Sequence, residues 1–550
     1  MRLERMGARF QTRLSFMRSV LRRLHGENWS VEQTFNDWDE NGFGTAVYRA
    51  RGPQRSYSLI AFSDYLDAAD RSDRVIAEKW DAAFTLFDGE PTPDDIARLR
   101  ANVPNQEAGR CSSKELTLSR ANKSVRLFEH VADRLSNGQQ PDTKMIAEVG
   151  YLMRTTAVYG NGKFGLADRE RTCSREELAN PYQAELLTVY LIRCFTHDLV
   201  EHVARTRNPE KFVPLDRRVR RHLGIGNATG LGMAPFLYHH PTLLNNWISA
   251  METALASVRS NQRAAQSEAT QFNQLLVSAR TLCNEWQVED TRQMRRIERL
   301  RADLDEFQRY LEGFDFSATI APWDTLFRWC EEHLDIEAQE LVATLMIEIH
   351  PHIADPLAQK MGSTDPMQIV PAMPLSSLLE LIESHYQWAL ELDFESAVEN
   401  HFFWYASEEK LEPRVGERFN EPGSDREHLL TAARDVSRLH ASIAESSPQK
   451  TVAEFLIQRP EHRHIVRRVQ SLHEFPYAEI RENLLNASML PIDMLRFKLS
   501  FFGATKFDPK SDKWTRINMY QGAPLPDELT EPDCDRWMFL PHAPTHAPAQ

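Results

Sequence analysis

The sequence predicts a mainly α-helical protein, a multi-helix bundle-like architecture with a small N-terminal β-hairpin and a long helical hairpin insertion. Helix-start signals precede apolar runs of helical period, as in the Thr92-Pro93 cap and the capping-box matches that begin at Ser174, Ser377 and Thr451. Strand-like composition is concentrated in one stretch, residues 45–62. We therefore expect helices to form most of the core.

The chain begins with a basic amphipathic pattern. Residues 1–24 contain seven arginines and one acid, Glu4, and apolar residues recur at helical spacing from Phe10 to Leu24. An amphipathic helix that docks on an acidic body explains this pattern, and a presequence or a membrane-surface helix is the alternative.

The two predicted hairpins differ in kind. Aromatic and β-branched residues at 45–50 and 56–62 flank a Gly-Pro turn at 51–55, which indicates a β-hairpin. Residues 247–312 are polar and nearly free of glycine and proline, and their apolar residues recur at roughly helical spacing. We interpret them as an antiparallel helical hairpin bent near residues 287–290, and we expect it to support a homo-oligomer.

These patterns divide the chain into five parts. The predicted organisation is a basic N-terminal helix (1–24), a mostly helical N-terminal domain with the β-hairpin and the glycine-rich loops (25–246), the helical hairpin (247–313), a C-terminal helical domain (314–540) and a disordered tail (541–550).

Composition limits the function classes. A chain of 550 residues with 42% hydrophobic and 26% charged residues is globular. The net charge of −14 excludes a general nucleic-acid binder. No apolar run reaches the roughly 18 residues of a transmembrane helix. Six dispersed cysteines without a C-x-x-C pair fit a reducing cytoplasm.

The most unusual stretch is residues 223–236. Glycine is scarce, 22 in 550 residues, yet four glycines lie between Gly224 and Gly232. The preceding segment is rich in arginine and lysine: Arg205, Arg207, Lys211, Arg217, Arg218, Arg220 and Arg221. A basic approach to a glycine loop favours binding of an anionic group by backbone N–H groups.

A second glycine-rich turn, residues 159–165, contains Asn161-Gly162 and Lys163. Neither segment matches a Walker A loop or a dinucleotide-binding fingerprint. We expect the two segments to meet in one pocket, because each alone has too few donors to offset the desolvation of an anion. The predicted ligand-binding residues are Arg154, Tyr159, Asn161, Lys163, Gly226, Asn227, Thr229 and Gly230. His239 and His240 are the candidates for proton transfer.

Other chemistry has weaker signals. The runs Glu348-Ile349-His350-Pro351-His352 and His197 to His202 contain metal-ligand residue types but no complete ligand set, so no metal site is predicted. Cys194, one helical turn before His197, is interpreted as buried packing. The sequence specifies no cofactor, and haem and flavin both stay open.

Two function hypotheses follow. The first is an enzyme acting on an anionic small molecule, a carboxylate or phosphate, as a lyase, an isomerase or an oxidoreductase. The second is a helical interaction or scaffold protein with residues 247–312 as the partner surface. Two glycine-dense loops rich in Asn, Thr and Lys favour the enzyme, because a scaffold has little need for them.

Overall fold

The computed structural model describes residues 12–67, 79–105, 112–160, 163–164, 175–180, 182–227, 241–286, 291–362, 369–391, 416–417, 426–427, 431–469, 506–509, 515–531 and 534. The tail 541–550 and the first eleven residues lie outside these ranges.

A ten-stranded mixed sheet organises the described chain. Its strands are β1 (Ser30–Asn36), β2 (Gly44–Arg51), β3 (Ser56–Ser63), β4 (Ala82–Asp88), β5 (Glu115–Lys123), β6 (Tyr151–Gly160), β7 (Lys163–Phe164), β8 (Gly224–Asn227), β11 (Lys506–Pro509) and β12 (Thr515–Met519). Two short strands, β9 (Gly416–Glu417) and β10 (Arg426–Glu427), form a separate pair. The order in the large sheet is β1-β2-β3-β4-β5-β6-β8-β12-β11, with β7 paired to β6.

The described helices surround this sheet and continue beyond it. They are α1 (Phe16–Gly26), α2 (Pro93–Asn102), α3 (Phe128–Ser136), α4 (Thr143–Val149), α5 (Gln183–Arg207), α6 (Arg217–His222), α7 (Pro241–Arg259), α8 (Gln266–Glu285), α9 (Thr291–Glu312), α10 (Pro322–His333), α11 (Ile336–Glu348), α12 (Pro351–Ala358), α13 (Leu375–His385), α14 (Gln387–Leu390), α15 (Thr431–Ala444), α16 (Val452–Gln458) and α17 (Arg463–Arg468).

The predicted fold class, a mainly α-helical bundle, is wrong, and a chain with ten strands in one sheet is not all-α. The expected β-hairpin exists as β2 and β3, but it is part of the ten-stranded sheet rather than an accessory to a helical bundle. The reason is burial on both faces. β4, which was not predicted, is buried along nearly its whole length, so it shows a nearly continuous apolar run instead of an alternating pattern.

Helix-start signals were only partly reliable. Thr92 caps α2 and Thr451 caps α16, each in a reciprocal capping box, which confirms both predictions. The Ser377 prediction is wrong, because α13 begins at Leu375 after Pro374 and Ser377 lies inside the helix. Ser174 lies outside the described residues.

Helix α5 connects β6 to β8, and these two are the one parallel pair of neighbours among the described strands of the large sheet. Parallel strands need a long crossover, and this 25-residue helix supplies it. The helix packs on one sheet face, where the Phe195 ring meets the rings of Tyr48 and Phe84 at 6.4 and 5.2 Å between centroids. α5 is therefore buried on nearly all sides, which explains its weak amphipathic pattern.

The opposite sheet face has a smaller apolar cluster, in which Ile60 and Phe62 pack with Leu99 of α2. The main core runs from the α5 face of the sheet into the helical layer α7 to α12. A third cluster, separate from both, joins α13 to α17.

Residues 247–312 belong to three helices, the end of α7 followed by α8 and α9. The last two run antiparallel, since Arg280 pairs with Asp305 at 2.5 Å and Arg301 Nε donates to the Cys283 carbonyl oxygen at 2.9 Å. Most of their apolar residues, including Phe272 and Phe307, are buried in the main core of the same chain, whereas Val277 is exposed. These buried residues are therefore not available to a partner chain, and oligomerisation through the helical hairpin stays a prediction.

Helix α1 docks on the helical layer through arginines. Arg18 donates two hydrogen bonds to Glu348 of α11, at 2.5 and 2.7 Å. Arg13 donates two to Asp355 of α12, both at 2.7 Å. The apolar side of α1 is buried as well, so the described part of the predicted basic helix is a docked core element.

Candidate functional site

β6 and β8 place the strands of the two glycine-rich segments side by side. In their parallel register Arg154 lies beside Gly226, and Thr155 lies beside Asn227. The carboxyl ends of parallel neighbours point toward the same edge of a sheet, which is where ligands bind in open sheets with parallel strands. Arg154 is 5% exposed and Thr155 is fully buried. The candidate site is the carboxyl end of this strand pair.

The predicted site residues fall into two groups. Arg154 and Tyr159 lie in β6, Lys163 lies in β7 opposite Gly160, and Gly226 and Asn227 lie in β8. The remaining predicted residues lie outside the described part of the chain: Asn161, Thr229, Gly230, His239 and His240.

Close packing explains why two positions of β8 require glycine. A Cβ on Gly226 would lie 2.7 Å from the ring of Tyr151. A Cβ on Gly224 would lie 2.7 Å from the backbone nitrogen of Gln521, in the segment that follows β12. Both distances are too short for a real side chain. The strand itself therefore requires these glycines, whether or not a ligand binds nearby.

Arg193 of α5 fixes the start of β8, a role that sequence reasoning missed. Its guanidinium donates to the carbonyl oxygens of Arg221, Leu223 and Pro524 at 2.8, 2.8 and 3.1 Å. Among the described residues no carboxylate forms an ion pair with it, and burial lowers the pKa of Arg193 to about 10. The only sequence signal is one arginine inside an apolar helix. Its acceptors are distant backbone groups.

The basic segment before the glycine loop is largely neutralised. Arg207 donates to Asp133 at 2.7 Å, and Arg220 donates to Asp198 at 2.6 Å. Further partners of the same run are Asp216 for Arg218, Asp527 for Arg217, Glu528 for Arg221 and the Phe212 ring for Arg205. Acidic side chains therefore neutralise most of the arginines that were expected to attract an anion to the glycine-rich loop.

A polar network links β2, α5 and α6. Tyr48 Oη donates to Asp198 at 2.9 Å, and Glu201 accepts the backbone N–H of Leu215 at 3.1 Å. Burial raises the pKa of Tyr48 well above its usual range and also raises the pKa of Glu201. Because the carboxylates are engaged with Arg220 and with backbone, the network acts as an anchor between these elements.

Cys194 and His197 lie one turn apart on α5, but they do not form an activated pair. Burial raises the pKa of the Cys194 thiol to about 12. Burial, together with the charges of Arg220 and Arg193, lowers the pKa of His197 well below its usual value. Near neutral pH the two groups are a thiol and a neutral imidazole, so neither the nucleophile nor its ion-pair partner is present. Buried packing is the better interpretation.

The histidine runs do not assemble a metal centre. Among the described residues no group of three His, Cys, Asp or Glu side chains has metal-binding geometry. Glu348 is held by Arg18, whereas the His350 ring contacts Trp323 and His352.

Comparison of the chain with protein-family models, with curated proteins and with solved structures finds no match. Within the described ranges, every helix is too short or too polar to cross a membrane. The case for a function therefore depends on the geometry of the sheet.

Proposed function

We propose that the chain is an enzyme acting on an anionic small molecule, a carboxylate or a phosphate, bound at the carboxyl ends of β6 and β8. The parallel pairing that sets Arg154 beside Gly226 carries this proposal. It places a buried arginine of β6 beside the carboxyl end of β8, and the segments that follow both strands contain glycine, with Asn after β6 and Thr after β8.

The physical argument has two parts. A cation in a largely desolvated position attracts an anion more strongly than a surface cation does. Glycine-rich backbone beyond a strand end exposes N–H groups that bind oxyanions. In this proposal Arg154 and Lys163 supply charge, and Tyr159, Asn161, Gly226, Asn227, Thr229 and Gly230 line the site. His239 or His240 transfers the proton.

The substrate determines whether the reaction is that of a lyase, an isomerase or an oxidoreductase. The cytoplasm is the compartment we propose, because Cys194 and Cys330 are buried free thiols, as a reducing environment keeps them. The scaffold hypothesis gains no support from residues 247–312, whose apolar side is turned into the core.

Lys163→Ala tests the proposal by calorimetric titration with inorganic phosphate, pyrophosphate and a set of mono- and dicarboxylates. Loss of one charged hydrogen bond should weaken binding about tenfold, with an unchanged melting temperature. The matched control is Lys144→Ala, an exposed lysine on α4, which should bind like the wild type. His239→Ala and His240→Ala should lower turnover more than binding once a substrate is found. A wild-type chain that binds none of these anions, or equal affinities for the two lysine variants, would refute the site.

A further inference from the structure

His350 lies at the junction of α11 and α12 and is fully buried. Its Nδ1 lies 2.7 Å from the carbonyl oxygen of Met346. A carbonyl only accepts, so Nδ1 carries the proton, and Nε2 of the neutral ring is an acceptor. Within the described part of the chain, Nε2 has no hydrogen-bond donor. A buried acceptor without a donor costs free energy.

The indole of Trp323, next to His350, has an unsatisfied hydrogen-bond donor. Trp323 of α10 meets His350 edge to face, with 5.4 Å between centroids and 89° between planes. Trp323 is also fully buried, and its Nε1–H has no acceptor among the described residues. Phe272 and Phe316 pack on the indole from other sides. Two neighbouring rings, each with one unsatisfied polar atom, thus pack inside an aromatic cluster.

Glu268 of α8 gives this cluster a charged neighbour. Its Oε1 lies 3.7 Å from His350 Nε2, too far for a hydrogen bond but close enough for strong attraction to a charged imidazole. Its Oε2 accepts the N–H of Ala265 at the start of α8, at 2.9 Å. The Glu268 side chain is 26% exposed, so protons from solvent can reach the pair.

The other charged groups around His350 act more weakly or are paired elsewhere. His352 of α12 lies 5.9 Å from it between ring centroids, and Glu348 of α11 is held by Arg18. On α10, Asp324 pairs with Arg259 of α7, and α7 also carries Glu252. Burial lowers the pKa of His350, and attraction by the Met346 carbonyl and Glu268 only partly opposes this.

We propose that His350 and Glu268 form a proton-operated contact between α8 and the α11–α12 junction. At neutral pH the ring is uncharged, and the two side chains stay apart. On acidification a proton from solvent binds Nε2, and the imidazolium then donates to Glu268 Oε1. The same junction contains Glu348 and Asp355, which accept hydrogen bonds from Arg18 and Arg13 and so anchor α1. Protonation of His350 therefore also affects the docking of α1.

The sign of the effect on stability follows from linkage. The folded chain holds the His350 proton more weakly than the unfolded chain does, so His350 contributes stability above its unfolded pKa, about 6.5. This contribution is lost as the pH falls from there through the folded-state pKa. The helical layer should therefore loosen in mild acid.

Unfolding midpoints of the full chain, measured from pH 8 to pH 5, test the proposal. The wild type should lose several degrees below pH 6.5, and His350→Gln should lose clearly less. His352→Gln is the control and should follow the wild type. Other buried histidines, such as His197, are present in every variant and cancel in the comparison.

Glu268→Gln provides a test that does not depend on folding of the His350 variant. Removing the attraction should lower the titration midpoint of His350, followed by NMR of ¹⁵N-histidine-labelled protein, and should steepen the acid loss of the unfolding midpoint. Parallel pH profiles for the wild type and His350→Gln would overturn the proposal. So would a His350 titration midpoint that Glu268→Gln leaves unchanged.

Discussion

Arg18 and Arg193 are both helix arginines with almost no exposure, 2% and 1%, yet the two regions stabilise them in different ways. In the helical layer, the carboxylate of Glu348 neutralises Arg18. In the sheet region, three backbone carbonyls solvate Arg193, and no described carboxylate pairs with it.

This difference follows from what each arginine joins. Two helices meet through side chains, so a buried cation between them needs a side-chain anion. The start of β8 and the segment after β12 present backbone, and the fixed fork of a guanidinium can bind several carbonyl oxygens at once. One arginine therefore docks a helix, whereas the other links a C-terminal segment to the sheet.

The largest effect is expected from Glu348→Gln in the helical layer. This change removes the carboxylate that accepts two hydrogen bonds from the buried Arg18, and it should lower the free energy of unfolding by about 3–5 kcal/mol. Chemical denaturation measures it. Glu332→Gln, at an exposed position on α10, is the control and should stay within about 0.5 kcal/mol of the wild type.

Replacing both partners separates the ion pair from simple packing. The double variant Arg18→Met with Glu348→Leu should recover most of the lost stability, since apolar replacement of a buried pair is often neutral or better. A Glu348→Gln variant as stable as the wild type would show that the two arginines do not differ in the way described.

Arg193→Met should have a somewhat smaller effect, a loss of about 2–4 kcal/mol. It removes three buried hydrogen bonds, although the Arg221 carbonyl keeps the N–H of Gly522 and the Pro524 carbonyl keeps Tyr190 Oη as donors. It also removes the cost of a buried charge. Hydrogen exchange should accelerate at the amides of residues 519–523 and of Leu525, because Pro524 loses one of its two hydrogen bonds to α5 and keeps the one from Tyr190. Arg193→Lys should rescue only part of the loss, because one ammonium lacks the planar fork. Unchanged exchange in this segment would argue against its role as a link.

The smallest of the three effects is expected from a glycine pair, one in each region. Gly224→Ala pushes a methyl group into the backbone of residues 519–521 and should cost about 1–3 kcal/mol. Gly26→Ala in α1 meets no atom within 4 Å and should change stability by less than about 1 kcal/mol, toward a gain. Equal changes in stability for the two variants in denaturant melts would show that the backbone of residues 519–521 moves away from residue 224 at little cost. That result would contradict a rigid link between β8 and β12.

The sequence by itself determined the features that depend on neighbours along the chain. The β2–β3 hairpin follows from a Gly-Pro turn between strand-forming residues, and the starts of α2 and α16 follow from reciprocal side-chain caps. The bend predicted near residues 287–290 lies between the end of α8 and the start of α9. Its own residues lie outside the described ranges. Each of these features spans only a few residues, so local chemistry is sufficient to specify it.

The tertiary structure decided the sheet and the neighbourhood of the candidate site. Periodicity reports burial on one side, and it fails for β4 and α5, which are buried on nearly all sides. The sequence suggested that the two glycine segments meet, but the register of Arg154 with Gly226 and the insertion of β12 beside β8 depend on contacts between distant segments. The same holds for Arg193, whose partners are backbone carbonyls. Every residue carries such an acceptor, so only the fold determines which ones a buried guanidinium meets.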